Sequence, residues 1–393
     1  MFSKRLNINL ESNLLSALYD AKIRNDEKIF DLTSSNPTKL NFKYETRDII
    51  KNYINENTFM YEPEPKGLLS ARNSVAAYYE SLGKNVSPED IFLVSGTSEA
   101  YSFLFKLLLD YEDEILVPQP CYPLFEYLAL LDFAKVKFYP LHYENMNGWR
   151  IDFKVLNSLI NDKTKAFICI NPNNPTGSYI DRNDYESIRE ISTKHDIPLI
   201  IDEVFSDYNI DDENEIMKSV VNQKAGLNFI LNGFSKILAL PQMKFSWILV
   251  EGNSEMKKIA KDKLEIISDT YLSVNTPVQH AAPVLFKTRD RIQRQILDRI
   301  KENYNILRSV LLLNPDLKVL KCQGGWNAVL SFENLLIPEE EFACKLLSEY
   351  NVLIHPGFYY DFCTEGFAVI SLLTDTDVLE EGTRRIIKYL RNI

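Results

Sequence analysis

Seven short apolar runs recur between residues 91 and 251: IFLVS (91–95), EILVP (114–118), VKFYP (136–140), AFICI (166–170), PLIID (198–202), NFILN (228–232) and WILVE (247–251). Each is bounded by turn residues and is apolar at both alternating positions, the pattern of a strand covered on both faces. Between them the period changes. Over Thr97–Leu109, the residues Ala100, Phe103, Leu104, Leu107 and Leu108 follow an i, i+3, i+4, i+7, i+8 stripe, which predicts a helix with one buried side. Asp184–His195 reads as another helix. Strands alternating with helices predict an α/β fold around a seven-stranded, mainly parallel sheet flanked by helices.

After about residue 275 the texture changes. The charged helical stretch at 287–312 leads into WNAVLSF, FACKLLSEY, VLIHP, FAVISLL and a closing helix, which predicts a smaller α+β unit. The expected division is an N-terminal segment over 1–45 that joins the smaller unit, a large domain over 46–275 and a small domain over 276–393. A length of 393 residues fits such a division, being too long for one ordinary core.

Composition narrows the partners. A net charge of −11 favours neither nucleic acid nor an anionic membrane surface. No run approaches the ~18 apolar residues of a membrane span. The opening MFSKRLNINLESNLL has no apolar core and no small-residue cleavage site, so secretion is not expected. Five scattered cysteines without a CxxC pair fit reduced thiols in a cytoplasm. Four histidines far apart propose no metal site.

Four motifs fall at strand ends, where α/β sheets place their ligands. VSGTSEA (94–100) joins a strand to a helix through Ser95, Gly96, Thr97 and Ser98, and free N–H groups at such a start cradle anions. Alone it reads equally as an ordinary helix cap. NPNNPTG (171–177) is a turn that presents Asn174, whose amide both donates and accepts. IIDEVFSDY (200–208) ends an apolar strand on Asp202, a carboxylate that needs a partner if buried, unless it caps a following helix. NGFSKILALPQMKFSW (232–247) puts Lys236 just past a strand end and Lys244 eight residues on. An enclosed lysine can lose its proton and become a nucleophile. Singly, a surface lysine is the commoner explanation; the four together in this order are not independent.

These motifs, with YEPEPKGLLSAR (61–72), PQPCYPLFEY (118–127), GGWNAVLSF (324–332), HPGFYY (355–360) and ISLLTDTDVLEEGTRRI near the end, resemble the class I/II aminotransferases, pyridoxal-5′-phosphate (PLP) enzymes of fold type I. The resemblance covers nearly the whole chain. More narrowly, LTSSNPT, SGTSEAYSFLFK and LPQMK look like a bacterial subgroup of unassigned substrate. The resemblance implies Lys236 as the Schiff-base lysine and proton shuttle, Asp202 against the pyridine nitrogen, Asn174 on the ring's phenolic oxygen and Tyr122 stacked on the ring. It implies Gly96, Thr97, Ser98, Ser235 and Lys244 around the phosphate. Tyr61 is expected to reach the phosphate of the neighbouring subunit, so the resemblance implies a homodimer. The implied reaction moves an amino group between an amino donor and a 2-oxo acid by a ping-pong mechanism.

Three departures stand out. Lys244 replaces the family's usual Arg, a point charge for a bidentate fork. Phe205 stands where most members have Tyr, which removes a hydrogen bond to the phenolic oxygen and predicts a Schiff base of higher pKa. Val369 occupies the place of the Arg that clamps the substrate α-carboxylate. Either another donor among Asn36, Asn174 and Asn327 takes over, or the substrate carries no carboxylate there. A PLP-dependent C–S β-lyase and a non-catalytic PLP-binding module are the alternatives to a transaminase.

Overall fold

The structure, a computed structural model, describes residues 13–392 except 55, 124, 212–215, 224–225, 273 and 313. Residues 1–12 of the N-terminal segment, and Leu124 within PQPCYPLFEY, therefore lie outside the described residues.

All seven apolar runs form strands, and they belong to one sheet of eight: β1 (Ile91–Val94), β2 (Glu114–Gln119), β3 (Lys135–Glu144), β4 (Gly148–Ile151), β5 (Thr164–Ile170), β6 (Leu199–Asp202), β7 (Asn228–Gly233) and β8 (Ser246–Glu251). The spatial order is β1-β8-β7-β6-β5-β2-β3-β4. Pairing is parallel from β7 through β6, β5 and β2 to β3. Antiparallel pairs flank this block, β8 against both β7 and β1 at one side and β4 against β3 at the other.

The expected seven strands thus become eight. The addition, β4, is four residues long, forms the edge of the sheet and pairs only with β3 through a hairpin. Its Arg150 and the short run around it leave no apolar signal of the kind that marks the buried strands.

Strand alternation divides the core. Leu93, Leu116, Phe167, Leu199, Ile201, Ile230 and Trp247 pack on one face of the sheet. Their neighbours Phe92, Val94, Val117, Ile168, Ile200, Leu231 and Ile248 pack on the other. This two-sided burial is the physical cause of the unbroken apolar runs in the sequence.

A third core belongs to the smaller unit. Leu317–Val319, Asn327–Phe332, Phe367–Ser371 and His355–Pro356 form a four-stranded antiparallel sheet in that order. Its rear face packs on Ile292, Ile296, Ile300 and Leu307, an i, i+4 stripe of the helix Arg289–Leu311. Leu15 and Leu32 of the N-terminal segment are in the same core, and Phe30–Asp31 pairs in parallel with Val352–Leu353. The helix Thr276–Leu285 buries Val278, Ala281, Ala282 and Leu285 in the core under the large sheet, so the packing changes hands between residues 286 and 292. Asn303 then ties the long helix to the turn after the strand Phe367–Ser371, its Nδ2 donating to the carbonyls of Leu372 (2.8 Å) and Thr374 (2.7 Å). Among the described residues no helix is long and apolar enough to cross a membrane.

Candidate active site

The parallel strands β2, β5, β6 and β7 end on the same edge of the sheet, and β1 points the same way because β8 is antiparallel to both its neighbours. The residues following five strand ends therefore converge: Thr97 and Ser98 after β1, Tyr122 after β2, Asn174 after β5, Asp202 at the tip of β6, and Ser235 and Lys236 after β7. All of them line one cavity of about 290 Å³, which Phe205 and Asn327 also line.

Gly96 opens the helix Thr97–Leu108 without a side-chain cap. A Cβ placed there meets no atom within 4 Å, so the space beside these N–H groups is open. Glu99 is already engaged, accepting from the Ser95 N–H at 2.7 Å. The NPNNPTG turn shares out its three asparagines. Asn171 and Asn173 are buried and hold the loop, through the Met217 and Pro120 carbonyls respectively. Asn174 alone reaches the cavity, where its Oδ1 accepts from Asn327 Nδ2 at 2.7 Å. Gly177 closes the turn at φ +69°, with the Gly324 carbonyl oxygen 2.4 Å from where a Cβ would stand. Only glycine fits this approach of the loop to the 322–324 segment.

Asp202 does not cap a helix; turn follows it. Its Oδ1 accepts from the Val204 N–H at 3.1 Å and its Oδ2 from the Tyr101 hydroxyl at 3.0 Å. Burial pushes its pKa up to about 6, against the lowering effect of those two donors and of Lys236. Lys236 shows the complementary shift. Burial lowers its amine to about 8, while Asp202 pulls the other way. Its Nζ lies 4.8 Å from the Trp326 ring centre and 5.1 Å from that of Phe205. Those rings pack edge to face at 5.4 Å. Near pH 8 the amine is thus poised between its two forms, the condition for a nucleophile and proton carrier.

The lysine is held from its backbone. It lies on the short helical turn Phe234–Ile237, and its carbonyl accepts from the Tyr208 hydroxyl at 2.6 Å. The Phe234 N–H donates to the Phe245 carbonyl at 2.8 Å, and the two rings stack at 4.3 Å. Gly233 allows this closure: a Cβ there would stand 2.0 Å from Ser246 Oγ.

Five residues singled out in the sequence are not among those lining the cavity, one of them Gly96, which precedes the helix Thr97–Leu108. Lys244 is exposed, at φ 53°, just past the turn Pro241–Met243. Tyr61 is 73% exposed. Asn36 spends its Oδ1 on Thr38, whose N–H and hydroxyl lie at 3.1 and 2.7 Å; its neighbour Ser35 reaches the cavity instead. Val369 is 1% exposed in the small sheet, paired with Val329 and His355. The structure adds Tyr101, Trp326 and Tyr360 to the walls. Tyr101 follows Ala100 of the buried helix stripe, and a tyrosine there, one turn after Thr97, is the available sign that the stripe ends at a site.

A larger recess of about 700 Å³ opens beside Glu203 and Asp207 and is lined by neither Lys236 nor Asp202. Its acids are engaged, Glu203 by the Val220 N–H and Ser219 hydroxyl, both at 2.7 Å, and Asp207 by Tyr78 and Gln293.

The chain belongs to the aminotransferase class I and II family, whose pattern it matches over residues 27–386. It is 29% identical over 387 residues to glutamate-pyruvate aminotransferase AlaA of Escherichia coli (strain K12), a match spanning 95% of this chain and 93% of that one. It is 28% identical over 345 residues to the alanine aminotransferase of Mycobacterium tuberculosis (strain ATCC 25618 / H37Rv), over 84% and 78% of the two chains. The structure of an alanine aminotransferase from Pyrococcus furiosus superposes with a TM-score of 0.90 at 24% identity, over 100% of both chains. The fold is therefore type I, and the family's enzymes are PLP-dependent transaminases.

The donor set fits that cofactor. Open helix N–H groups and three hydroxyls suit a phosphate, a buried carboxylate suits a pyridine nitrogen, and a desolvated amine suits an aldehyde. All lie on the walls of one cavity.

Proposed function

We propose that this chain binds PLP in the cavity and transfers an amino group between an amino donor and a 2-oxo acid, the two half-reactions sharing one site. The observation that carries this reading is that Lys236 and Asp202, each shifted mainly by burial, are the only charged side chains among the described residues lining the cavity. When bound, the cofactor supplies an electron sink for the substrate's α-carbon. Lys236 would hold its aldehyde carbon, and the free Nζ moves the proton at the α-carbon. Asp202 would hold the ring nitrogen's proton, its own carboxylate steadied by Tyr101 and Val204. Thr97, Ser98 and Ser235 would take the phosphate, with Lys244 reaching in from the rim. Asn174 would take the phenolic oxygen, oriented by Asn327.

A second copy of the chain completes this reading. Ile50, Ile54, Phe59 and Met60 are all more than half exposed, an apolar stretch of the kind a subunit covers, and Tyr61 follows directly. The homodimer would place Tyr61 at the neighbouring phosphate; sedimentation of the full chain tests it, with a monomer as the contrary result.

The test of function is half-reaction screening. The PLP-loaded protein is mixed with amino donors, led by alanine, glutamate and tyrosine, and the cofactor band is followed. Conversion restored by a 2-oxo acid supports the reading. Lys236→Ala should abolish band and turnover together. Turnover without Lys236, or pyruvate and ammonia released from a β-substituted amino acid with no amino transfer, overturns it.

A further inference from the structure

The cavity has a charge problem. Among the described residues Lys236 is its only cationic side chain, and a lysine engaged with the cofactor cannot also neutralise a substrate carboxylate. Val369 brings no charge either.

The small sheet shows what stands nearby. Residues directly opposite each other on antiparallel strands share a face. Val369 is opposite Val329 on one side and His355 on the other, and Asn327, two residues before Val329, shares their face and lines the cavity. The reverse face, with Ala328, Leu330, Ala368 and Ile370, packs into the third core. The side of the sheet turned to the cavity therefore carries one imidazole, a strand away from Val369. His355 Nδ1 lies 3.3 Å from the hydroxyl of Tyr360, and Tyr360 is a wall of the cavity.

We propose that Tyr360, braced by His355, receives the carboxylate of the amino or oxo acid in place of a guanidinium. The hydroxyl is the direct donor, so it is Tyr360 that touches substrate. His355 is a positioning residue: it donates Nδ1–H to the phenolic oxygen and leaves the Tyr360 proton free for the carboxylate. Protonation at Nε2 then adds a positive charge to the ring, two hydrogen bonds removed from the substrate. The other walls, including Tyr122, Phe125, Leu128, Ile170 and Trp326, are aromatic or aliphatic. The substrate class is accordingly a monocarboxylic amino or oxo acid with an uncharged side chain, since a second carboxylate finds no lining cation.

The groups facing His355 set its pH behaviour. Burial lowers its pKa below the ordinary imidazole value, and Asp31, on the short strand Phe30–Asp31, partly opposes this by favouring the charged ring. Tyr359 and Tyr360 flank the ring, at 5.7 and 6.1 Å between centres. From the packed helix Glu339–Tyr350, Glu339 is turned instead to the N–H groups of Phe358, Gly366 and Phe367. Carboxylate binding should therefore draw a proton onto His355 and weaken as pH rises through its titration.

This inference rests on the proposed function, and the test separates the two. The PLP-loaded protein is titrated with propanoate and 3-phenylpropanoate and with their primary amides, and binding is read from the cofactor absorbance. The wild type should favour each acid over its amide by about tenfold or more, the scale of a hydrogen bond to a charged group. Tyr360→Phe should erase that preference and leave the amide affinity within about twofold. His355→Gln, which keeps a donor but cannot charge, should retain part of the preference and lose its pH dependence. If Tyr360→Phe does not fold, the acid-to-amide ratio of His355→Gln decides. An unchanged ratio in the folded variants, or equal binding of acid and amide by the wild type, overturns the pair while the cofactor band and amino transfer remain. A wild-type protein with no cofactor band overturns the function itself, and the pair with it.

Discussion

Tyr101 donates its hydroxyl to Asp202 Oδ2 at 3.0 Å, so the acid at the cavity wall is engaged from the helix before any ligand reaches it. That bond favours the charged carboxylate and opposes the upward push of burial. Tyr101→Phe removes it and keeps the ring. The Asp202 pKa should climb further above about 6, so the acidic limb of kcat/KM moves to higher pH, with a loss of about tenfold near pH 6 and a smaller one near pH 8. A pH–rate profile checks this; an unmoved limb counts against the role given to Asp202.

Cofactor-free protein should be held back by the same acid. Asp202 binds its proton more tightly when folded, at about 6, than at its ordinary 3.8. The folded state therefore holds more protons between those values, and stability falls as pH rises through that window. Asp202→Asn removes the penalty. Urea melts should show variant and wild type alike near pH 4 and the variant ahead by about 2 kcal/mol at pH 7, after allowing for the lost attraction to Lys236.

Glu203, the next residue along, is structural. Its carboxylate satisfies the Val220 N–H and the Ser219 hydroxyl, and burial pushes it up to about 7. Glu203→Ala should cost about 2–4 kcal/mol, because a buried and a half-buried donor lose their acceptor. Glu203→Gln should cost under about 1 kcal/mol and flatten the fall in stability between about pH 4.5 and 7. Denaturation at pH 5 and pH 8 separates the two.

Gly233→Ala should be costly although its backbone is extended. The added Cβ would stand 2.0 Å from Ser246 Oγ and 2.9 Å from the Phe245 carbonyl oxygen. About 3 kcal/mol of destabilisation is expected. Adding Ser246→Ala should restore only part of it, because the backbone oxygen remains. Thermal unfolding of the single and double variants measures this.

The strands that build the site were legible because both of their faces are buried, which leaves an unbroken apolar signature at β1, β2 and β5 through β8. The edge strand β4 carried no such mark. Within the site, residues that are polar at a strand end, such as Asp202 and Lys236, announce themselves because burial there demands a reason. Tyr101, Trp326 and Tyr360 do not: each is an aromatic in an apolar setting, and only the fold turns its ring or hydroxyl toward the cavity. Asn36 is ambiguous for the opposite reason, since an asparagine before a proline serves a turn as readily as a ligand, and here its side chain caps the turn Pro37–Lys39.

The closed base of the loop carrying Lys236 has one more consequence. Both of its stems are adjacent strands of the large sheet, joined across Phe234 and Phe245. The amine therefore stands on a stem of two hydrogen-bonded strands, and its position is set by the large sheet. Asn327 and Tyr360 come from the smaller unit. On the proposed function, a displacement of that unit against the large sheet re-aims Asn327 and Tyr360 while leaving Lys236 in place, so that substrate recognition can vary without disturbing the chemistry.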